Sequence, residues 1–292
     1  EIIGLVLGAF LLSFIRGEHQ AKGGSAPMTR FILGFFVMIG CLMFLGCPFR
    51  LILRLAGGDW NAILGFVGFA VGIGAGTFFL KRGYSLKRTY SLPKFDTAVM
   101  PVLMVGLLIL VVAAPAFIFF SEKGPGAVHA FWAVSLIAGI VVGGLAQYTR
   151  LCMVGGIRDI ILFHETKLLM GFVAVFVAAF LVNLAFGNFH PGFANQPIAH
   201  TDGLWNFLGM ALAGFCSILL GGCPMRQLIM TGEGNTDSAI TVLGLVIGAA
   251  FAHNFGLAAG GNGPTFNGEV AVVLGFVVAL IIAVVNTRKQ GT

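Results

Sequence analysis

The stretch "LGCPFRLILR" at residues 45–54 separates two long apolar segments with a cysteine, a proline and two arginines. A similar stretch, "GGCPMRQLIM", occurs at residues 221–230. Proline lacks a backbone N–H, so it suits the first turn of a helix and breaks a helix elsewhere. Each stretch therefore predicts a broken helix, in which one helix ends at the glycine–cysteine pair and a short second helix begins at the proline.

The composition around these stretches indicates an integral membrane protein. Of the 292 residues, 58% are hydrophobic and only 10% are charged, whereas soluble domains carry about 25% charged residues. The apolar segments are long and do not alternate with period two, which argues against a transmembrane barrel. We predict a single all-α, multi-pass membrane domain over residues 1–292. Its nine predicted spans are residues 1–15, 31–45, 60–80, 98–120, 131–147, 168–186, 204–220, 238–256 and 270–286.

Basic residues predict the orientation, because cytoplasmic loops of membrane proteins are rich in lysine and arginine. If the first span runs inward, 13 of the 17 basic residues lie in cytoplasmic loops and the C-terminus is cytoplasmic. Lys123 then lies in an outer loop, and the other three are in the two broken stretches. The net charge of +6 follows from this topology and requires no nucleic-acid partner. The cytoplasmic residues are Arg16, Lys22, Arg30, Lys81, Arg82, Lys87, Arg88, Lys94, Arg150, Arg158, Lys167, Arg288 and Lys289.

The two stretches also indicate an internal repeat with an offset of 176 residues. The first copy follows an outward-running span and the second an inward-running span, so the halves are predicted to be inverted. Many secondary transporters have this arrangement, with binding sites at broken helices. Repeat one is predicted at about residues 1–121 and repeat two at about 130–290, with part of repeat one upstream of Glu1. The matched residues are Gly46 with Gly222, Cys47 with Cys223, Pro48 with Pro224 and Arg50 with Arg226.

The cysteines of this chain admit two interpretations. A cysteine in an apolar segment is commonly a small buried hydrophobe, but recurrence at matched breaks favours a functional role for Cys47 and Cys223. Cys152 lies in a third stretch, "YTRLCMVGGIRDIILF" at residues 148–163, beside two arginines. Cys41 and Cys216 lie within predicted spans, where core packing and a second-tier role in the pathway are both open.

A metal centre or an active site is not predicted. The cysteines form no C-x-x-C and have no histidine close by, which disfavours a zinc or iron–sulfur site. A disulfide stays open, because pairing cannot be read from sequence. No catalytic serine–histidine–aspartate spacing, phosphate loop or dinucleotide fingerprint is present. We therefore predict no cofactor and no enzymatic activity.

Charged residues near the breaks also admit two interpretations. Arg50 and Arg226 either reach to the headgroups, as arginines near span ends do, or attract an anion into a passage, and their recurrence favours the second. Arg54 has Met230 at its matched position and is predicted to be an interface anchor. Nearby acidic residues either pair with these arginines or are solvated. His253 is predicted to hydrogen bond between helices, with substrate contact as the alternative.

Two glycine–cysteine stretches in repeated halves, with a "RLCMVGGIRD" stretch between them, resemble the YeeE/YedE family of bacterial inner-membrane proteins. The resemblance implies uptake of thiosulfate or a related sulfur species through an hourglass-shaped passage with cysteines along its axis. On the matching positions it implies pathway roles for Cys47, Cys223 and Cys152, the last beside Arg150 and Arg158. The proline and arginine after each glycine–cysteine pair resemble the YedE branch associated with selenium metabolism, which implies a selenium-containing solute.

The predicted function is therefore a transporter or channel for a small, soft sulfur or selenium anion. Thiols are soft, polarizable contacts, and helix N-termini and arginines favour anions. Cys47 is predicted to face the outer half of the passage and Cys223 the inner half. Two alternatives stay open. The cysteines could form persulfides or selenopersulfides and hand the chalcogen to a cytosolic partner, or the basic loop 81–94 could dock a soluble sulfur- or selenium-handling protein.

Overall fold

Helices dominate the described part of the chain, which comprises residues 1–113 and 130–287 of a computed structural model. The elements in chain order are α1 (Ile2–Ile15), β1 (Lys22–Gly23), α2 (Pro27–Phe44), α3 (Pro48–Ala56), α4 (Asn61–Lys81), β2 (Tyr90–Ser91), α5 (Lys94–Ala113), α6 (Trp132–Thr149), α7 (Met153–Phe163), α8 (Lys167–Ala185), α9 (Gly203–Leu220), α10 (Pro224–Gly232), α11 (Thr236–Asn254) and α12 (Phe266–Val285).

The all-helical, multi-pass class is confirmed, whereas the count of nine spans is not. Seven segments of the described residues are helical, long and apolar enough to cross a membrane. The first and fourth predicted spans correspond to shorter apolar helices, α1 and the Ala98–Ala113 part of α5. Residues 114–120 of the fourth span lie outside the described residues, as do three residues of the orientation prediction, Lys123, Arg288 and Lys289.

Three of the seven segments each consist of two helices separated by a short break. They are Pro27–Ala56, Trp132–Phe163 and Gly203–Gly232. The first and third match in length and position, because adding 176 to the bounds of α2 and α3 gives the bounds of α9 and α10. The two predicted broken helices are therefore present, and a third break lies at the stretch that contains Cys152.

The chain divides into two compact units. In unit 1, α1 packs along α6. The helices approach closely because small residues line the contact: a Cβ at Gly4 or at Gly143 would meet the backbone of the other helix. Strands β1 and β2 pair antiparallel, with Lys22 opposite Ser91. The segments of unit 1 are Glu1–Ser25, Arg88–Arg150 and Arg226–Ala239.

In unit 2, α9 packs against both α2 and α4, and the short helix α3 packs against α8. Thirteen of the 18 residues of α9 are buried, whereas Phe172 is the single buried residue among the 19 of α8. Helix α9 is therefore the core helix, and α8 presents an apolar face to the surroundings. The segments of unit 2 are Ala26–Lys87, Leu151–Met225 and Ile240–Thr292. Each unit thus takes segments from both predicted repeats.

Helix contacts inside unit 2 repeat in a reciprocal way. Glycines of α4 lie against backbone carbonyls of α9, and glycines of α11 lie against backbone carbonyls of α2. If 176 is added to the residue number of each α4 glycine and subtracted from that of its α9 partner, the two new numbers identify a contact between α11 and α2. This reciprocity is what a two-fold relation between the halves requires, so it supports the predicted repeat. The pairs are Gly68 with Phe207, Gly72 with Ala211, Gly244 with Phe31 and Gly248 with Phe35.

The turns that follow α3 and α10 match as well. Gly58 and Gly234 lie 176 residues apart and both have left-handed backbones, with φ of 95° and 97°. Each accepts a backbone hydrogen bond from a loop, Gly58 from Gly192 at 3.0 Å in unit 2 and Gly234 from Lys22 at 3.3 Å in unit 1. The two short helices therefore end in the same manner.

Candidate functional site

All three breaks have the same local geometry. Each preceding helix ends on a left-handed residue: Leu45 (φ 61°), Arg150 (φ 56°) and Gly221 (φ 85°). Two residues further on, a cysteine directly precedes the next helix. These cysteines are Cys47 before α3, Cys152 before α7 and Cys223 before α10. The third stretch, which only the family resemblance linked to the other two, therefore shares their backbone geometry.

A backbone hydrogen bond closes each of the two glycine–cysteine breaks. The N–H of Gly46 donates to the carbonyl of Cys41 at 2.8 Å, and the N–H of Gly222 donates to that of Ser217 at 3.0 Å. This pattern is a common helix ending after a left-handed residue, because it satisfies carbonyls that the last turn leaves unpaired. The prolines then begin α3 and α10, as predicted.

The left-handed residue at the second break leads to a testable prediction. Gly221→Ala should lower the free energy of unfolding by about 1 kcal/mol, because an alanine pays for a left-handed backbone that glycine adopts freely. A Cβ at Gly221 has no atom within 4 Å, so the loss would come from backbone strain alone. Chemical unfolding of the purified protein measures it. Gly74→Ala is the matched control, since Gly74 also has open space but lies inside α4 without a positive φ. An equal effect of both changes would contradict the prediction.

The three cysteines at the breaks differ in exposure. Cys47 is half-buried, whereas Cys152 is 6% and Cys223 is 2% exposed. The thiol of Cys152 accepts a hydrogen bond from the N–H of Gly155 at 3.3 Å, so it caps the first turn of α7. The five cysteines, all within the described residues, form no disulfide.

The first break also brings thiols from different helices together. The Cys41 thiol lies within electrostatic range of the thiols of Cys47 and Cys216. Cys41 and Cys216 are 3% and 0% exposed, and their helices α2 and α9 pack directly. Cys41 therefore lies near the Cys47 break, and Cys216 lies near Cys41 where α9 packs against α2.

The two matched arginines differ in their charge environment. The guanidinium of Arg226 pairs with the Glu233 carboxylate at 2.7 Å. Arg50 is half-buried, and none of the described carboxylates pairs with it. The methylenes of Arg50 lie over Gly46, with Cδ 3.1 Å from where a Cβ of that glycine would stand. Arg50 therefore brings to the Cys47 break a positive charge that no carboxylate in the described part of the chain offsets.

Arg150, at the third break, belongs to an ion-pair network inside unit 1. Its guanidinium contacts Glu18 at 2.9 Å and Glu233 at 3.2 Å. Glu233 thus receives both Arg150 and Arg226, so one carboxylate offsets two of the predicted site arginines. Arg158 in unit 2 pairs with its neighbour Asp159 at 2.7 Å. Glu233 and Asp159 therefore form ion pairs with arginines, which was one of the two interpretations of the acidic residues near the breaks.

The prediction that Arg54 anchors the protein at the membrane interface is wrong. Its side chain is only 6% exposed and pairs with Asp59 at 2.7 Å. The guanidinium also donates to the carbonyl of Phe44 at 2.5 Å and lies 4.0 Å from the centre of the Phe44 ring. Arg54 therefore ties α3 to the last turn of α2 across the break. The sequence could not reveal the contact with Phe44, because that residue lies ten positions before Arg54 and becomes its neighbour only where the helix breaks.

Two further residues hold the broken helices at their ends, and sequence reasoning assigned neither this role. The His200 ring donates from Nε2 to the carbonyl of Met43 at 2.8 Å, and His200 is 1% exposed. Arg30 donates to the carbonyl of Leu220, the last residue of α9, at 3.5 Å. Leu220 is the match of Phe44, so each of the two matched broken helices has an arginine at the last carbonyl of its first helix. A cation at a helix C-terminus is favourable because it offsets the helix dipole.

The predicted interhelical hydrogen bond of His253 is not found. Its side chain is exposed near the end of α11, and none of the described residues hydrogen bonds to it. The neighbouring amide of Asn254 donates to Ala250 of the same helix at 2.7 Å. His253 is therefore not joined to any other predicted site residue.

The chemistry of the breaks suits a soft anion better than a metal ion. Among residues 1–113 and 130–287, no group of three or more histidine, cysteine or acidic side chains is placed to hold a metal. What the breaks present instead are thiols, the N-terminal N–H groups of short helices, and the guanidinium of Arg50. Soft, polarizable sulfur and positive N-terminal dipoles are complementary to a large anion.

This fold and these breaks define a class, a multi-pass helical membrane protein whose helices are interrupted at cysteines. Residues 148–289, which include Cys152 and Cys223, match the family model described as sulphur transport. The match over those residues confirms the resemblance to the YeeE/YedE sulphur transport family that the motifs indicated. No curated protein matches the chain. The family carries a sulfur-related transport role, while the selenium-associated branch is not confirmed.

Proposed function

We propose that this protein carries a small, soft sulfur anion of the thiosulfate type across the membrane, along a passage that the three cysteine-bearing breaks line. The observation that carries the proposal is the recurrence of one geometry, a left-handed helix end followed two residues later by a cysteine, at Cys47, Cys152 and Cys223. Broken helices at membrane depth are tolerated only where they are buried in protein or line a cavity. Three such breaks in one chain favour a passage over packing.

The halves are proposed to be inverted repeats that meet at this passage. The matched bounds of the broken helices and the reciprocal glycine contacts support a two-fold relation. The helix contacts also join elements predicted on the same side of the membrane. His200, in the predicted outer loop, holds the Cys47 break, and Arg30, in a predicted cytoplasmic loop, holds the end of α9 before Cys223. These contacts favour Cys47 in the outer half and Cys223 in the inner half.

The chemistry of the breaks supports a soft anion as the solute. A charge that leaves water needs compensation, which Arg50 and the N-terminal dipoles of α3 and α10 can supply. Thiols contact a sulfur atom well but are weak hydrogen-bond donors, so sulfate, whose outer atoms are all oxygen, is held less well than thiosulfate. A selenium-containing anion of similar softness meets the same contacts. Weak contacts at successive sites also allow release, which conduction requires.

Uptake by the purified protein in liposomes tests the proposal. Thiosulfate should accumulate faster than sulfate, and selenite should be assayed beside them to test the selenium-containing alternative. Cys47→Ala and Cys223→Ala should each lower thiosulfate uptake by about tenfold or more, the equivalent of one lost contact of about 1.4 kcal/mol. Cys47→Ser and Cys223→Ser keep the volume but replace the soft atom, so they should recover little. Intact uptake by either alanine variant, in protein that inserts and folds, would overturn the proposed pathway.

Mass spectrometry of the Cys223 peptide after exposure to thiosulfate separates passage from a covalent relay. Non-covalent passage predicts an unchanged peptide mass. A persulfide on Cys223 would form if its thiolate took the outer sulfur atom of thiosulfate, with cleavage of the S–S bond of thiosulfate and release of sulfite. That result would replace passage by the relay alternative, in which a cytosolic partner receives the sulfur.

A further inference from the structure

A buried tyrosine lies near the second break and has no place in the proposed cysteine pathway. Tyr84 follows α4, and its N–H donates to the carbonyl of Phe79 at 3.0 Å, so the chain folds back towards the helix it has just left. Tyr84 is 7% exposed, and none of the described residues hydrogen bonds to its hydroxyl. A buried hydroxyl without a partner is costly, by about 1–3 kcal/mol, and calls for an explanation.

Tyr84 is held beside the end of α9. The rings of Phe79 and Phe215 are in contact, with centroids 6.0 Å apart, and Gly76 packs against the side chain of Ile218. An antiparallel bridge between Tyr84 and Thr287 fixes the backbone from the other side. The end of α4 and the turn that carries Tyr84 therefore lie beside the last turns of α9, which precede the Cys223 break.

The groups around the phenol can bind an anion. The phenol lies within electrostatic range of the Arg30 guanidinium and the Cys216 thiol. Arg30 is half-buried and reaches the end of α9 through its 3.5 Å contact with the Leu220 carbonyl. Burial raises the pKa of Tyr84 above its ordinary value of 10.0, so the phenol keeps its proton and remains a donor at neutral pH. Ser217, beside Cys216, contributes a second buried hydroxyl, for which the described part of the chain offers no hydrogen-bond partner.

We propose that Arg30, Tyr84 and Cys216 form a binding subsite for a sulfur oxyanion just before the Cys223 break. The hydroxyl and the guanidinium donate to the oxygen atoms, and the thiol contacts a terminal sulfur atom. The subsite rests on the proposed transport of such an anion and adds donors that the cysteines lack. It also distinguishes the two breaks, because its guanidinium and phenol lie at the second break, whereas Arg50 lies at the first.

Thiosulfate is the probe, and Tyr84→Phe is the main variant, because it removes the donor and keeps the ring. Calorimetric titration of the purified protein should give thiosulfate binding about tenfold weaker than in the wild type, as expected when a hydrogen bond to a charged group is lost. The unfolding temperature without anion should stay the same or rise, since an unsatisfied hydroxyl has been removed. Tyr90→Phe is the matched control on an exposed tyrosine and should change neither quantity.

The outcomes separate the subsite from the proposed function. Wild-type binding in Tyr84→Phe, no thiosulfate binding in the wild type, or a loss of stability without anion that accounts for the weaker binding would each overturn the subsite. If Tyr84→Phe weakens binding while wild-type liposomes take up no thiosulfate, the subsite stands and the proposed transport fails. If liposomes take up thiosulfate while Tyr84→Phe binds it as the wild type does, transport stands and the subsite fails.

A second variant tests the part assigned to the thiol. Cys216→Ser should lower the preference for thiosulfate over sulfate, because a hydroxyl contacts oxygen as well as sulfur, and should leave sulfate binding within about twofold of the wild type. An unchanged preference would remove Cys216 from the subsite. Binding data for both anions on one preparation give the ratio directly.

Discussion

Asp59→Asn should lower the free energy of unfolding by about 3 kcal/mol, because it leaves a buried guanidinium without its charge partner. Asp59 and Arg54 have side chains that are 4% and 6% exposed, so water cannot replace the lost carboxylate. One nitrogen of Arg54 already has no hydrogen-bond partner within residues 1–113 and 130–287, so the guanidinium depends on Asp59 for its charge compensation. Asp59 also accepts from the N–H of Asn61 at 2.9 Å, a contact that an asparagine can retain.

The second half of the chain supplies the matched double variant. At the positions 176 residues further on it has Met230 and Asn235, so Arg54→Met with Asp59→Asn copies a pairing that the protein already uses. The double variant should be more stable than the sum of the single losses predicts, with a coupling energy of about 2 kcal/mol or more. Chemical unfolding of the four proteins in one detergent measures the cycle. Additive losses would show that the pair is not a unit, and the proposed tie across the Cys47 break would fall.

Gly72→Ala should destabilise the protein by about 3 kcal/mol and lower the yield of folded protein. A Cβ at Gly72 would overlap the backbone carbonyl of Ala211 in α9, and neither backbone can move without separating two core helices. Gly74→Ala, two residues away on the same helix, meets nothing within 4 Å and should be neutral or gain up to about 1 kcal/mol from helix propensity. Thermal unfolding followed by gel filtration compares the two.

The reciprocal contact, between α11 and α2, provides a second variant that tests the same close backbone packing. Gly248→Ala places a Cβ 2.7 Å from the carbonyl of Phe35, in the contact that matches Gly72 with Ala211. If the halves are related by a two-fold axis, Gly248→Ala should destabilise the protein too, and by less than Gly72→Ala because its overlap is smaller. A neutral Gly248→Ala would argue against the reciprocal packing. Equal effects of Gly72→Ala and Gly74→Ala would argue against close backbone contact as the cause.

Sequence patterns located the breaks accurately because their cause is local. Proline acts on its own φ angle and its missing N–H, so a helix beginning at Pro48 or at Pro224 could be inferred from a few letters. At the third break no proline marks the second helix. Its Cys152 was singled out for its neighbouring arginines and received a pathway role through the resemblance, whereas the left-handed residue, Arg150, is not a glycine that could signal a helix end. The common geometry of the three breaks emerged only from the backbone.

Charges were the least predictable part of the site. Arg50 and Arg226 have identical motifs, yet Glu233 offsets one of them and none of the described carboxylates pairs with the other. Arg54 was expected at the membrane interface and is buried with Asp59. Tyr84 stood in a basic loop with no pattern to single it out. Their environments depend on neighbours that are distant in sequence or become neighbours only at a bend, and no local periodicity encodes those.

By itself, the sequence determined that this is a helical membrane protein, where two of its helices break, and that two matched stretches carry a cysteine at the break. These properties follow from hydropathy and backbone sterics, which act over a single span or turn. The tertiary structure decided which cysteine-bearing helices pack together, which of the two matched arginines pairs with a described carboxylate, and which hydroxyl is buried near the end of α9. Those properties depend on packing between distant segments, since burial and pairing are set by what lies across a contact.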